Sequence, residues 1–350
     1  MNITFLAPCK DLSGGIKAIS IYGNKLIELG HRVTVVYPKK HQPWKRKIKE
    51  SLKSIVDNTK DHLDRFNGTL LALDTIDDDT MPVSDVLIAT AWETAEWSAG
   101  LSKNKGVKFY FIQGYETWNG QKERVVKTYN LPFKKITISS WLKAKVSALS
   151  FDDRIDLIPN GSDFGIKSLK EGSYFRRYDI GLTYSAIPNK GCHIAVASLW
   201  ELYRKRPSLK FVIFGSEKPM EDLPPNTEVI INPTQKHIEY IYRNTRIWLS
   251  SSFEEGFCLP CLEAMSCGSV IITSDSKGVR DFVDNGYNGF LVPTGSSEEI
   301  TKKTMLLLKS PQLMCDFQKR GIEKSKIFNW DKSAALFNNL LTEQFLGKTA

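Results

Sequence analysis

The chain has 350 residues, 41% hydrophobic and 25% charged, a balance that fits a globular protein with room for two domains of ordinary size. No apolar run approaches the roughly 18 residues of a spanning helix, and the start, Met1-Asn2-Ile3-Thr4-Phe5-Leu6, lacks a basic leader and reads as a strand. The formal net charge of +9 suits an anionic partner, but no nucleic-acid module signature accompanies it.

Asn2 to Ala7 reads as a short strand, Ser13-Gly14-Gly15 as a loop, and Ile16 to Leu29 as a helix with one apolar face, stopped by Gly30. Arg32 to Tyr37 follows as a buried strand. Strand, crossover helix and strand at this spacing predict a parallel sheet. Val86 to Ala89, Lys108 to Ile112 and Lys135 to Ile138 continue it, with Ser139 or Ser140 as a cap for the next helix. Asn160-Gly161 predicts a turn. From Asp179 the alternation restarts. Strands are expected at Ile180–Tyr184, Leu209–Phe214, Glu228–Ile231, Ile247–Ser250 and Ser269–Thr273, with helices at His193–Arg204 and His237–Tyr242. The reading is an α/β chain of two doubly wound, Rossmann-like domains, 1–165 and 166–328. The helix expected within 329–347 is a candidate to pack back on the first.

Six cysteines are scattered along the chain, and only Cys258 and Cys261 have a metal-like spacing. No second pair or histidine cluster completes a tetrahedral set, so reduced thiols are expected and no metal. Asp77-Asp78-Asp79 reads as a solvated loop.

The chemistry concentrates in Ser251 to Ser269. A strand ends near Ser250, Gly256 allows a sharp turn, Pro260 suits the first turn of a helix, and Gly268 ends it. Free N–H groups at residues 257–260 are then expected beyond the carboxyl end of the strand. Open α/β sheets bind ligands there, and a helix N-terminus takes a diphosphate. Glu255 falls on the loop and Glu263 about one turn inside the helix. Carboxylates accept hydrogen bonds from the paired hydroxyls of ribose and of a sugar. The plain alternative is two solvated acids near a helix start, where acids are favoured anyway.

The run Glu255-Gly-Phe-Cys-Leu-Pro-Cys-Leu-Glu263-Ala-Met265, with Gly268, resembles glycosyltransferase family 4 and its Glu-x7-Glu motif. The likeness continues through Gly278-Val-Arg-Asp-Phe-Val283 and Asn285-Gly-Tyr-Asn-Gly-Phe-Leu-Val-Pro293. Looser matches lie at Gly14-Gly15, Gly30 to Val35, Ile158-Pro-Asn-Gly161, Asn189-Lys190-Gly191 and Phe211 to Gly215. The resemblance implies the GT-B fold, with a deep cleft between its domains, and a retaining glycosyltransferase that uses a UDP, GDP or dTDP sugar. By position, Glu263 would hold the ribose hydroxyls and Glu255, on Gly256's turn, those of the donor sugar. Lys190 and the N–H groups of Phe257, Cys258 and Leu259 would neutralise the diphosphate, approached also by Gly14 and Gly15. No cofactor or metal is implied.

The chain also departs from the family. An Arg that often precedes the phosphate Lys is missing from Gly181-Leu-Thr-Tyr-Ser185. The stretch to Gly191 resembles a subgroup that includes surface-polysaccharide rhamnosyltransferases. Its Gln-Asp-Tyr-Glu loop has a counterpart in Gln113-Gly-Tyr-Glu116, so Gln113 and Glu116 are acceptor-side candidates. The acceptor is expected to be a glycan or a lipid-linked glycan of cell-surface polysaccharide assembly. Trp44 to Val56 is basic and amphipathic, a candidate for an anionic membrane surface, or else a helix packed with its basic face in solvent. The location implied is cytoplasmic, at the inner face of the cell membrane if that segment docks. An epimerase on the same fold and an inactive nucleotide-sugar-binding scaffold are the rival readings.

Overall fold

The computed structural model describes residues 1–39, 61–117, 121–152, 154–165 and 176–349. The basic segment Trp44 to Val56 lies outside them. Contacts divide the chain into two compact units, Met1–Asn160 with Trp330–Ala350, and Gly161–Asn329.

The first unit runs β1 (Asn2–Leu6), α1 (Gly14–Glu28), β2 (Arg32–Pro38), β3 (Thr69–Leu73), β4 (Val86–Ala89), α2 (Trp92–Ala99), β5 (Val107–Ile112), α3 (Lys122–Thr128), β6 (Lys134–Thr137), α4 (Ser140–Ser147) and β7 (Ile155–Leu157). Its sheet has the order β3-β2-β1-β4-β5-β6-β7, and every neighbouring pair is parallel. The strands are parallel because their side chains are apolar on both faces: all of Val86-Leu-Ile-Ala89 is buried. Gly30 ends α1 as expected, with φ +89°. Its N–H reaches Ile27 O at 2.9 Å and that of His31 reaches Leu26 O at 3.0 Å, a Schellman stop.

Two local expectations are corrected. Ser139 occupies the N-cap position of α4 but its side chain makes no capping bond; its Oγ is buried without a partner. Asn160-Gly161 forms no turn. Gly161 is not in the left-handed region, and the chain passes there from one unit to the other. The acidic run is structural: Asp77 accepts from the N–H groups of Asp79 and Thr80 at 3.1 and 3.0 Å and closes its own loop.

The second unit runs β8 (Tyr178–Tyr184), α5 (Cys192–Lys205), β9 (Phe211–Gly215), β10 (Thr227–Ile231), α6 (Gln235–Arg243), β11 (Thr245–Ser250), α7 (Leu259–Ser266), β12 (Val270–Ser274), β13 (Gly289–Val292), α8 (Ser297–Lys309) and α9 (Pro311–Ser325). Its parallel sheet has the order β10-β9-β8-β11-β12-β13. β8 and β11 are neighbours, with Gly181 opposite Trp248. A Cβ on Gly181 would stand 2.3 Å from the indole ring, so the glycine makes room for a Trp that is wholly buried. The strand order reverses between β8 and β11. The loops leaving these two strands therefore flank the crevice where open sheets bind ligands.

The last helix, α10 (Trp330–Thr349), belongs to the first unit. Phe337 stacks on Tyr22 at 4.8 Å and meets Phe111 edge-on at 5.5 Å. Ser333 Oγ donates to Pro159 O at 2.6 Å. Phe337 is wholly buried, so Phe337→Ala should cost about 3–5 kcal/mol of stability. The urea-unfolding midpoint checks this, and an unchanged midpoint would show that α10 is not part of that core.

Candidate functional site

The site is built from the two loops at the switch point of the second unit. After β8 the chain makes a tight turn through Pro188, Asn189 and Lys190. It leaves by Gly191, whose φ is +58° and whose added Cβ would stand 2.4 Å from Ser251 O. Only glycine lets the two loops approach this closely. They are then tied together. Ser251 Oγ donates to Gly191 O at 2.8 Å, Phe253 N to Asn189 O at 2.9 Å, and Asn189 Nδ2 to Glu254 O at 3.0 Å.

This stitching brings Lys190 onto Glu255. The ammonium donates to both carboxylate oxygens, at 2.8 and 2.9 Å. Ser252 Oγ donates to Oε1 at 2.7 Å. The Glu255 side chain is 12% exposed and that of Lys190 38%. Burial pulls the Lys190 ammonium down, but Glu255 outweighs it and holds its pKa above the ordinary value. Both residues line a pocket with Thr183, Ser250, Cys258 and Pro260. The main chain of Glu255 is fixed as well, since its N–H reaches Ser276 O at 2.9 Å in a short parallel bridge with Lys277. Gly278 permits that contact, because a Cβ there would fall 2.5 Å from Gly256 O.

The helix start differs in detail from the expectation. The left-handed residue is Cys258, at φ +70°, and not Gly256. α7 begins at Leu259, and Pro260, within the expected N–H set, carries no N–H. Among the described residues no backbone carbonyl accepts from the N–H groups of Phe257, Cys258 or Leu259. Phe257 anchors the loop between Phe282 at 5.5 Å and Phe328 at 5.7 Å. Glu263 does not share the pocket wall with Glu255. It sits in the body of α7, 5% exposed, and accepts from Tyr242 Oη at 3.3 Å. Cys258 and Cys261 are buried free thiols. No group of three metal-binding side chains occurs among the described residues.

The remaining candidates lie in the first unit. Gly14 and Gly15 form the first turn of α1, where Ser13 Oγ accepts from Ile16 N at 3.4 Å. The Cβ direction of Gly15 points at the Gln113 amide, 3.4 Å away. Glu116 accepts from Trp92 N, at the start of α2, at 2.9 Å. Burial pushes its carboxyl up to about 8, against the pull of that N–H and with Glu93 adding to the rise. The residues that sequence reasoning missed are Ser252 and Tyr242. Ser252-Phe-Glu-Glu255 has the Ser-x-x-Glu spacing of a local hydroxyl–carboxylate pair, which was a usable signal. Tyr242 had none.

Residues 178–324 match the family model described as glycosyl transferases group 1. Over that span the chain is similar to the group 1 glycosyl transferases, and the whole chain has the GT-B fold. The matched span takes in both switch-point loops. This GT-B chain is similar to the capsular polysaccharide biosynthesis glycosyltransferase CapM of Staphylococcus aureus, 24% identical over 235 residues, 59% of this chain and 62% of CapM. It is also similar to the N,N'-diacetylbacillosaminyl-diphospho-undecaprenol alpha-1,3-N-acetylgalactosaminyltransferase of Campylobacter jejuni, 30% identical over 83 residues, 24% of this chain and 22% of that enzyme. The chain thus spans less than two thirds of the length of these curated relatives. Among solved structures, Anabaena HepE in complex with UDP superposes with a TM-score of 0.76 at 15% identity, covering 98% of this chain and all of that one. Sucrose-phosphate synthase from Thermosynechococcus elongatus superposes at 0.75 with 16% identity, covering 99% of this chain and 100% of that one. Likeness at these identities shows the fold.

Two outcomes follow, one in each unit. Cys258→Gly should stay within about 1 kcal/mol of the parent, while Cys258→Val should lose about 2 kcal/mol or more, because a β-branched side chain resists the left-handed region. Thermal melts of both variants check this, and equal stabilities would contradict it. For Glu116, a folded pKa above the ordinary 4.5 means that the folded chain keeps a proton the unfolded chain releases. The associated stability is fully present below about pH 4.5 and is lost as the pH rises through about 8. Glu116→Gln should flatten this fall, measured by urea unfolding across that range. An unchanged slope would remove the protonated carboxyl.

Proposed function

We propose that this GT-B protein is a retaining glycosyltransferase. It moves a sugar from a nucleoside-diphosphate sugar to a glycan or lipid-linked glycan in surface polysaccharide or glycoconjugate assembly. The observation that carries the reading is the Lys190 ammonium clamped on Glu255 in a pocket at the switch point, beside N–H groups that no backbone carbonyl takes among the described residues. Cationic and N–H donors fixed in advance stabilise the charge that develops on a departing diphosphate.

In this reading Lys190 and the N–H groups of Phe257, Cys258 and Leu259 meet the diphosphate. Glu255 accepts from the donor sugar's hydroxyls and Glu263 from those of ribose. Gln113 and Glu116 do acceptor-side work. The anomeric C–O bond to the diphosphate breaks while the acceptor oxygen bonds to the same face of that carbon. The acceptor proton passes to the leaving phosphate oxygen. This front-face course needs positioning and electrostatics, with no covalent nucleophile and no metal.

Several relatives support parts of the reading. Anabaena HepE has been solved with UDP and glucose, which favours UDP among the nucleotides. The Campylobacter enzyme is named for a diphospho-undecaprenol substrate, which favours a lipid-linked acceptor, and CapM is named for capsular polysaccharide. None of the described helices is long and apolar enough to cross a membrane. Action in the cytoplasm is part of the proposal, at the inner membrane face if Trp44 to Val56 docks there.

Glu255→Ala and Lys190→Ala should each lower transfer by more than about tenfold and leave the fold intact. A donor screen over UDP, GDP and dTDP sugars with product detection provides the assay, with circular dichroism as the folding control. Wild-type rates in either variant would contradict the assigned roles. Nucleotide binding without transfer to any acceptor would favour the scaffold, and an epimerised nucleotide sugar formed without acceptor would favour the epimerase.

A further inference from the structure

We propose that Tyr242 is a positioning residue of the donor site: its hydroxyl, held by an aromatic box, donates to Glu263 and sets the plane in which that carboxylate meets the ribose hydroxyls. The proposal rests on the reading that Glu263 takes the ribose.

Tyr242 lies in the last turn of α6 and is 1% exposed. Its ring meets Trp248 edge-on at 4.7 Å and Phe214 at 5.7 Å, and Phe164 lies 6.0 Å away. Trp248 is fixed in turn by the space that Gly181 leaves for its indole. The backbone of Tyr242 is tied down too, since its carbonyl accepts from Ser269 Oγ at 3.1 Å. A ring gripped on these sides has one place for its oxygen.

That oxygen is 3.3 Å from Glu263 Oε2. The distance is longer than the usual range for a hydroxyl donor, as functional hydrogen bonds often are before a ligand arrives. Filling an aromatic core needs only the ring, so Phe would serve at this position. A buried phenol needs a partner for its O–H, and here the partner is a carboxylate that is itself 5% exposed. A carboxylate chelates a vicinal diol only when both oxygens lie in the plane of the two O–H groups. One donor on Oε2 removes the rotation that would spoil this match. Hydrogen bonds to charged groups are the stronger kind when they shorten, so closing this contact on ligand binding would hold the carboxylate more firmly.

The test is calorimetric binding of UDP and of its 2′,3′-dideoxy analogue to the wild type, Tyr242→Phe, Glu263→Gln and the double variant. Phe keeps the ring and its box, and thermal melts check that it folds. The expected result is that Tyr242→Phe narrows the preference for UDP over the dideoxy analogue by about threefold to tenfold. Its affinity for the analogue should be unchanged, and it should add nothing on the Glu263→Gln background. A Tyr242→Phe protein with the full preference, or one that loses both nucleotides equally, would reduce Tyr242 to core packing and overturn the proposal. If Glu263→Gln itself leaves the preference intact while UDP still binds, the ribose assignment fails and takes the proposal with it. If the wild type binds no UDP, the UDP donor reading fails before either residue is at issue.

Discussion

The Lys190–Glu255 contact is the constraint on which the site depends. It joins two loops far apart in sequence, and it forms because β8 and β11 are neighbours at the place where the strand order reverses. Two glycines make it sterically possible, Gly191 behind the lysine and Gly278 behind the glutamate. The Glu255 side chain is the more buried of the two, so removing the lysine takes the cationic partner from a largely buried carboxylate. In the proposed reading, a diphosphate placed beside the ammonium offers it new anionic oxygens. The carboxylate is then relieved of part of its load and can accept from hydroxyls. The two residues are thus better understood as one exchangeable contact than as two independent ligands.

The fold was legible where strands are apolar on both faces. Val86 to Ala89 and Ile247 to Ser250 could hardly be anything but interior strands, and the Schellman glycines Gly30 and Gly268 mark helix ends by their backbone alone. Thr69–Leu73 escaped because it is an edge strand, half exposed and without alternation. α2, Trp92-Glu-Thr-Ala-Glu-Trp-Ser-Ala99, is short and only weakly two-faced, so its periodicity carries little signal. Within the site, Glu255 and Lys190 were readable because a long local motif surrounds them. Tyr242 was not, because its significance comes from a partner 21 residues away on another helix.

The misplacement of the tight turn has a physical lesson. Glycine advertises a left-handed residue, and Gly256 was the natural candidate. The left-handed position falls on Cys258, just after Phe257, which is wedged between Phe282 and Phe328. A packed aromatic can impose a backbone angle that the next residue would not choose. In the first unit, Glu116 shows the converse. A residue first singled out for polar work on a substrate is also anchored by the N-terminal N–H of α2, so its reactivity and the local fold cannot be altered separately.

The short bridge between Glu255 and Lys277 makes the loop proposed to hold the donor a continuation of the sheet. The Glu255 N–H is bonded to Ser276 O before any ligand arrives, so the start of the loop has little chain entropy left to lose on binding. A loop that had to order itself around the nucleotide would surrender part of its interaction energy as that cost. Here the same energy goes into the contacts. In the proposed reading, discrimination between donors rests on side chains around a fixed frame, so that exchanging one such side chain retunes the choice of sugar without rebuilding the frame.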